Sequence, residues 1–250
     1  MKKARIDTLL IELNFVDSLP RAQALIMSGV VLANEKRVEK SSEIFAANVK
    51  IRIKGSSADN KYVGRGGLKL EKALREFHIH PNEYVCLDVG SSTGGFTDCL
   101  LKNGAKKVVA VDAGTNQLDW KLRKDERVEV RENVNARYLR AENFEEKFDL
   151  IVMDVSFISV TKILSALIPL LKDDGGIIVL IKPQFEVGRD EVETGGIVRD
   201  TAKHRRVVAE INSFAETKGL KNAGVINSPI LGANGNKEFL ALFKIAQTHE

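Results

Sequence analysis

The sequence predicts an α/β fold: a mostly parallel sheet whose last strand is antiparallel, preceded by a small α+β module. Three observations carry this reading. From residue 85 onward, short apolar runs alternate with helical patterns, the mark of a parallel sheet covered on both faces. The first run, Tyr84-Val85-Cys86-Leu87-Asp88-Val89, continues into Gly90-Ser91-Ser92-Thr93-Gly94-Gly95-Phe96, which is the order of a buried strand, a tight loop and a helix start. Positive charge is concentrated ahead of these units, with 12 Lys and Arg against 7 Asp and Glu through residue 67, and 26 against 27 beyond.

The 250 residues, 44% of them hydrophobic, suffice for one large domain or for a medium domain with a satellite. No apolar run reaches membrane-spanning length. The segment Met1-Lys2-Lys3-Ala4-Arg5-Ile6-Asp7 carries charge without the apolar core of a signal peptide. A cytoplasmic location with no membrane partner is expected. Cys86 and Cys99 fit small buried hydrophobes better than a disulfide. His78, His80, His204 and His249 form no ligand cluster, so no metal site is expected.

Ile6, Leu9, Leu10 and Leu13 share one helical face, which Asn14 ends. Ser18 suits the N-cap of a second helix, with Pro20 in the first turn where its missing N–H costs nothing. Ala22, Leu25 and Ile26 form the buried face, and Gly29 stops the helix. Strands are expected at 30–32 and 49–53. The polar, turn-rich stretch Lys54-Gly55-Ser56-Ser57-Ala58-Asp59-Asn60 makes 55–67 a linker between domains at 1–54 and 68–250. Leu70, Ala73, Leu74 and Phe77 give the next helix its apolar stripe. Lys69 falls in the first turn, off that stripe, where the helix dipole disfavours a cation; a functional role explains it better. Further strands are expected at Val85–Val89, Val108–Asp112, Val128–Val130, Leu150–Asp154, Ile177–Ile181, Val225–Asn227 and Phe239–Ile245. A helix over Thr201–Lys218 turns Val207, Val208, Ile211 and Phe214 inward.

The glycine spacing is G-x-x-x-G-G, not the G-x-G-x-x-G of dinucleotide sites. This argues against a nicotinamide-dependent dehydrogenase. It suits S-adenosylmethionine, which has no pyrophosphate to cradle. Asp112 ends the second strand, where a carboxylate can accept hydrogen bonds from both ribose hydroxyls.

In an open sheet of this kind the active site lies beyond the carboxyl ends of the strands. Asp154 closes the fourth strand and Lys182 the fifth, and Glu238 opens the last strand at the same edge. Lys69 arrives from the helix leading into the sheet. Taken singly, such residues are most often surface groups or ion-pair partners. Four of them at one rim, beside a methyl donor, suit methylation of a weakly acidic hydroxyl such as that of ribose. The attacking hydroxyl must lose its proton. Lys182 could accept it as a neutral amine, or Lys69 and Lys182 could stabilise the alkoxide as cations. Asp154 and Glu238 would orient the lysines. The residues leave both roles open.

Two resemblances follow. Residues 5–53 resemble the small RNA-binding module first named from ribosomal protein S-four, through Arg5, Asp7, Ser18, Arg21, Ala22, Leu25, Ile26, Gly29, Val30, Asn34, Val38 and Lys40. Glu35 stands where that module usually has glycine. Arg5, Arg21, Lys36, Arg37 and Lys40, with Arg65 beyond them, are the candidate phosphate contacts. Over nearly its full length the chain resembles the TlyA family of ribosomal RNA ribose methyltransferases, also called haemolysin A. The matching stretches are Arg65-Gly66-Gly67-Leu68-Lys69-Leu70, Asp88 through Phe96, Asp154-Val155-Ser156-Phe157-Ile158-Ser159, Lys182-Pro183-Gln184-Phe185-Glu186 and Gly195-Gly196-Ile197-Val198-Arg199-Asp200.

That resemblance implies a Rossmann-like sheet, S-adenosylmethionine as cofactor and 2′-O-methylation of cytidine in ribosomal RNA. It maps the catalytic tetrad onto Lys69, Asp154, Lys182 and Glu238. It implies cofactor contacts at Asp88, Gly90, Ser91, Ser92, Thr93, Gly94, Gly95, Phe96 and Asp112; by its position after the third strand, Asn133 or Asn135 is the expected adenine contact. The implied partner is ribosomal RNA or a ribosomal subunit; the oligomeric state stays open. A non-catalytic RNA-binding factor would leave the tetrad unexplained. A membrane-active haemolysin would need an apolar span or a strongly amphipathic surface helix, and neither is visible.

Overall fold

The computed structural model describes residues 3–13, 15–16, 18–27, 29–53 and 61–246. Asn14 as a helix end, residue 54 of the expected first domain, residues 55–60 of the expected linker, and His249 lie outside the described residues. The chain divides into two compact units, Met1–Asn60 and Lys61–Glu250.

The first unit runs β1 (Lys3–Arg5), α1 (Ile6–Glu12), α2 (Leu19–Met27), β2 (Val31–Ala33), β3 (Lys36–Arg37), β4 (Ile44–Ala46) and β5 (Ile51–Ile53). β1 pairs with β4, and β2 lies between β3 and β5, all antiparallel. Ile6, Leu10, Ala22, Ile26, Val31 and Ile53 meet in the core. Gly29 follows α2 at φ 71°, the left-handed turn that ends a helix without strain at glycine. Asn34 and Glu35 turn between β2 and β3 at φ 49° and 63°. Glu35 thus adopts the conformation for which glycine is the usual residue.

The second unit begins inside the expected linker. Tyr62 is buried in its core, Val63 donates its N–H to Asp98 Oδ2 (2.8 Å), and Gly67 donates to the Gly64 carbonyl (3.1 Å). Residues 61–67 are therefore part of this unit, because Tyr62 has a core to enter and its neighbours have backbone partners. The elements that follow are α3 (Gly66–Glu76), β6 (Val85–Val89), α4 (Gly95–Lys102), β7 (Lys107–Val111), α5 (Trp120–Arg123), β8 (Val128–Arg131), β9 (Phe148–Met153), α6 (Thr161–Leu167), β10 (Leu171–Ile181), α7 (Thr201–Thr217), β11 (Leu220–Asn227) and β12 (Phe239–Ile245).

Seven strands form one sheet in the order β11-β12-β10-β9-β6-β7-β8. β10, β9, β6, β7 and β8 are mutually parallel, and β12 is antiparallel to both of its neighbours. This is the Rossmann-like arrangement expected. Alternation divides the core into two layers. Val85, Leu87, Val89, Ala241 and Phe243 pack on one face with Val207 and Ile211 of α7. Cys86, Leu240 and Leu242 pack on the other with Leu70, Ala73 and Leu74 of α3 and Leu100 of α4. β6 has β7 on one side and β9 on the other, so the chain switches direction there and opens a crevice beyond the strand's end.

Candidate active site

The loop after β6 occupies that crevice. Gly90 sits at φ 83°, and a Cβ there would lie 2.6 Å from the Asp154 carbonyl; only glycine lets the loop reach the end of β9. Gly95 opens α4 against the turn before α3, where a Cβ would lie 3.0 Å from Gly67 N. Asp112, just beyond β7, shapes the loop through both oxygens: Ser92 N–H donates to Oδ2 (2.8 Å) and Gly114 N–H to Oδ1 (2.7 Å).

Two adjoining cavities follow from this. The larger, about 460 Å³, reaches from Asp112, Gln117 and Asn135 to Phe157. The smaller, about 190 Å³, lies among Gly66, Thr93, Phe96 and Lys182. Both include Gly90, Ser92, Asp154 and Ser156 in their walls, so they form one continuous channel. The donor set fits S-adenosylmethionine. A carboxylate at Asp112 faces the larger space, where a ribose can be held. Gly95 and Phe96 open a helix, whose first amides have no intrahelical partner and suit a carboxylate. Asn133 is exposed and outside these walls, at φ 57°, whereas Asn135 is within them. Gly94 and Asp88 also stand back from the channel. Asp88 is fully buried beneath the loop and accepts the Thr97 hydroxyl at Oδ2 (2.6 Å), while Oδ1 has no partner. Burial lifts its carboxyl from the ordinary 3.8 to about 7, against the pull of the Thr97 hydrogen bond.

The four expected catalytic residues come together as two ion pairs. Lys182 Nζ lies 2.6 Å from Asp154 Oδ1 and donates to Ser156 Oγ at 2.8 Å. Lys69 Nζ donates to Glu238 Oε2 at 2.6 Å. Strand register explains the convergence. Ile181 pairs with Phe239 across the antiparallel β10–β12 ladder, so the next residue on one side, Lys182, meets the preceding residue on the other, Glu238. Met153 pairs with Val179 on the parallel side, which brings Asp154 to the same rim. Gly66, one turn before Lys69 on α3, lines the smaller cavity. Lys69, Lys182 and Glu238 are 8%, 9% and 3% exposed, so these charges are held in a low-dielectric site by one another. The position off the apolar stripe expected for Lys69 does not leave it in solvent. It is buried because Glu238 neutralises it.

Several residues that sequence reasoning passed over complete the site. Ser156 holds Lys182. Phe157 is 90% exposed at φ 64°, a backbone region that aromatic residues rarely occupy, with its ring 5.1 Å from that of Phe185. Asn236, 1% exposed, ties the segment before Glu238 to the 195–200 loop: Val198 N–H donates to Oδ1 (3.0 Å), and Nδ2 donates to the Gly196 (2.9 Å) and Ala233 (3.0 Å) carbonyls. Gly232 packs directly on the Glu238 carboxylate.

Of the basic residues expected to face RNA, Lys36, Arg37 and Lys40 are exposed on the first unit and Arg65 on the second. Arg5 is committed to the buried carboxylate of Asp7 through Nε (3.0 Å) and Nη2 (2.6 Å). These bonds hold the Asp7 carboxyl below its usual range. Arg21 lies in the first turn of α2.

A loop of this form, an acid at the end of the next strand and paired lysines at the rim define a methyltransferase. The chain belongs to the FtsJ-like methyltransferase family, whose pattern matches residues 62–245. It is 39% identical over 238 residues to the 16S/23S rRNA (cytidine-2′-O)-methyltransferase TlyA of Mycobacterium tuberculosis, spanning 95% of this chain and 88% of that one. Hemolysin A of Brachyspira hyodysenteriae is 42% identical over 242 residues, 96% of this chain and all of the relative. A solved structure from Streptococcus thermophilus, assigned as a hemolysin, covers 99% of this chain and 90% of its own at 42% identity, with a TM-score of 0.76. Among the described residues, no helix is long and apolar enough to cross a membrane.

Proposed function

We propose that the chain methylates the 2′-oxygen of a cytidine ribose in ribosomal RNA, with S-adenosylmethionine as donor, and that its first unit is an RNA-binding module. The observation that carries this reading is the pair of buried Lys–carboxylate contacts at the rim where the channel ends. When bound, S-adenosylmethionine supplies a methyl group on a sulfonium. Asp112 and the Gly90–Phe96 loop hold it. The ribose oxygen gains the methyl as its O–H bond breaks, so a group at the rim must receive the proton or the developing charge. Lys182 is that group, because it alone of the two lysines lines the channel, and Asp154 and Ser156 fix its Nζ. Lys69 and Glu238, paired beside it, complete the rim. The exposed ring of Phe157, at the channel wall, suits stacking on a base drawn out of the RNA. Lys36, Arg37 and Lys40 suit phosphate contact without reading sequence.

The test is methyl transfer to ribosomal RNA by wild type, Lys182→Ala and Lys182→Arg. Arginine keeps the charge but cannot accept a proton at neutral pH. Activity lost in K182A and retained in K182R assigns electrostatic stabilisation to Lys182; activity lost in both assigns the base. Near-normal transfer by folded K182A would overturn the reading.

A further inference from the structure

A second cavity lies outside the channel. It is a groove of about 750 Å³ along the free edge of the sheet, between α3, α7 and β11. Val208, Val225 and Phe239 give it an apolar floor, and Lys72, Arg205 and Lys237 stand around it. Glu76 is the sole carboxylate in the lining and is paired with Arg75 (2.9 Å) outside it. Lys72 Nζ donates to the Asn227 carbonyl (2.9 Å), with Glu76 one turn further along α3. Arg205 and Lys237 are exposed, with no ion-pair partner among the described residues. The fourth basic candidate, His204, is buried, and its Nε2 is engaged with the Val198 carbonyl (2.7 Å).

The groove also touches the catalytic rim. Lys72 lies one turn beyond Lys69 on α3, and Lys237 precedes Glu238. Asn227 and Phe239 pair across β11–β12 at the level where Phe239 pairs with Ile181. A polymer with one ribose at Lys182, beside the Lys69–Glu238 pair, can leave the site on this side without crossing a strand.

We propose that the groove is a subsite for the single-stranded RNA flanking the target nucleotide. A neighbouring base would lie on the Val225–Phe239 floor, with phosphates against Arg205, Lys237 and Lys72. Apolar surface flanked by cations, of which Arg205 and Lys237 have no ion-pair partner among the described residues, is the chemistry that receives a nucleotide in an unpaired strand. The proposal rests on the methyltransferase reading and extends it.

Two measurements on the full chain test it. In the first, Arg205→Glu should raise the apparent KM for ribosomal RNA roughly tenfold and lower the slope of log affinity against log salt by about one. The kcat and the affinity for S-adenosylmethionine should not change. In the second, a photocrosslinker is placed on Ala209→Cys, which is exposed in the groove while Cys86 and Cys99 are buried and unreactive. The A209C protein should crosslink ribosomal RNA beside the methylated nucleotide. Unchanged KM and salt slope in R205E overturn the proposal, as does crosslinking only to a ribosomal protein or to nothing. If wild type transfers no methyl group, the functional reading fails separately. RNA crosslinking by A209C and RNA affinity of R205E need no turnover, and they still decide the groove.

Discussion

Alanine at Gly232 gives the sharpest test of the Lys69–Glu238 contact without removing either charge. Gly232 has φ −74°, which any residue adopts, so the substitution brings no backbone strain. Its new Cβ would lie 1.9 Å from Glu238 Oε1 and 2.4 Å from Cδ, far inside van der Waals contact. Glu238 is 3% exposed, so its carboxylate has to swing within a packed site. Any such movement lengthens the 2.6 Å contact to Lys69 Nζ. A displacement of about 1 Å at a catalytic group costs on the order of a hundredfold in rate, or about 2.7 kcal/mol of barrier. Overpacking should cost about 1–3 kcal/mol of stability, less than deleting one partner of a buried pair would. Initial rates of methyl transfer to ribosomal RNA, calorimetric affinity for S-adenosylmethionine and urea midpoints should be measured together. The expected result is a rate drop near a hundredfold, with cofactor affinity retained. Wild-type turnover by folded G232A would refute the argument that this pair is set to within an ångström.

Asn236→Ala leaves the buried Val198 amide without its side-chain partner, at about 1–3 kcal/mol, and releases the exposed Gly196 carbonyl to solvent. It should lower both the urea midpoint and kcat, and Asn236→Asp, which keeps only the acceptor, should fall between; equal turnover in all three would disprove the latch. Asp112→Ala should weaken S-adenosylmethionine binding about tenfold or more, through the ribose and the loop amides it orders, measured by calorimetry without RNA. Asp88 gives a pH signature. Its folded value of about 7 lies above the ordinary 3.8, so the folded state binds the extra proton between those values. Stability is therefore unpenalised below about pH 4 and falls as pH rises through 7. Asp88→Asn should remove that slope, and parallel melting-temperature profiles of wild type and D88N from pH 5 to 8 would contradict the assignment.

Strong local patterns were readable in the chain, and long-range pairing was not. β6 and β12 fall at the expected residues because each is a largely apolar run, broken only by Asp88 in β6 and Lys244 in β12. β1, β3 and β4, of three residues or fewer, carry no periodicity, and β1 finds its partner some forty positions away. Asp154, Lys182 and Glu238 were legible as candidates because charged residues at strand ends violate the apolar pattern, and Lys69 because a cation sits badly in the first turn of a helix. The pairing of Lys69 with Glu238 was not, and with it went the burial of Lys69. Asn236 and Ser156 left no trace either: a buried amide or hydroxyl is recognised by its hydrogen-bond partners, which only the fold supplies. Phe157 has the composition of a core residue and the position of a surface one. The segment 61–67 read as part of a linker because it continues the polar, turn-rich stretch 54–60, yet its glycines permit the close approach of α3 to α4.

The central claim is that the chain methylates a ribose hydroxyl through the lysine pairs at the sheet rim. Ribosomal RNA incubated with purified protein and S-adenosylmethionine should be digested to nucleosides and analysed by mass spectrometry. The predicted result is 2′-O-methylcytidine from wild type and none from K182A. A methyl group found on a base, or 2′-O-methylcytidine at equal yield from K182A, would contradict it.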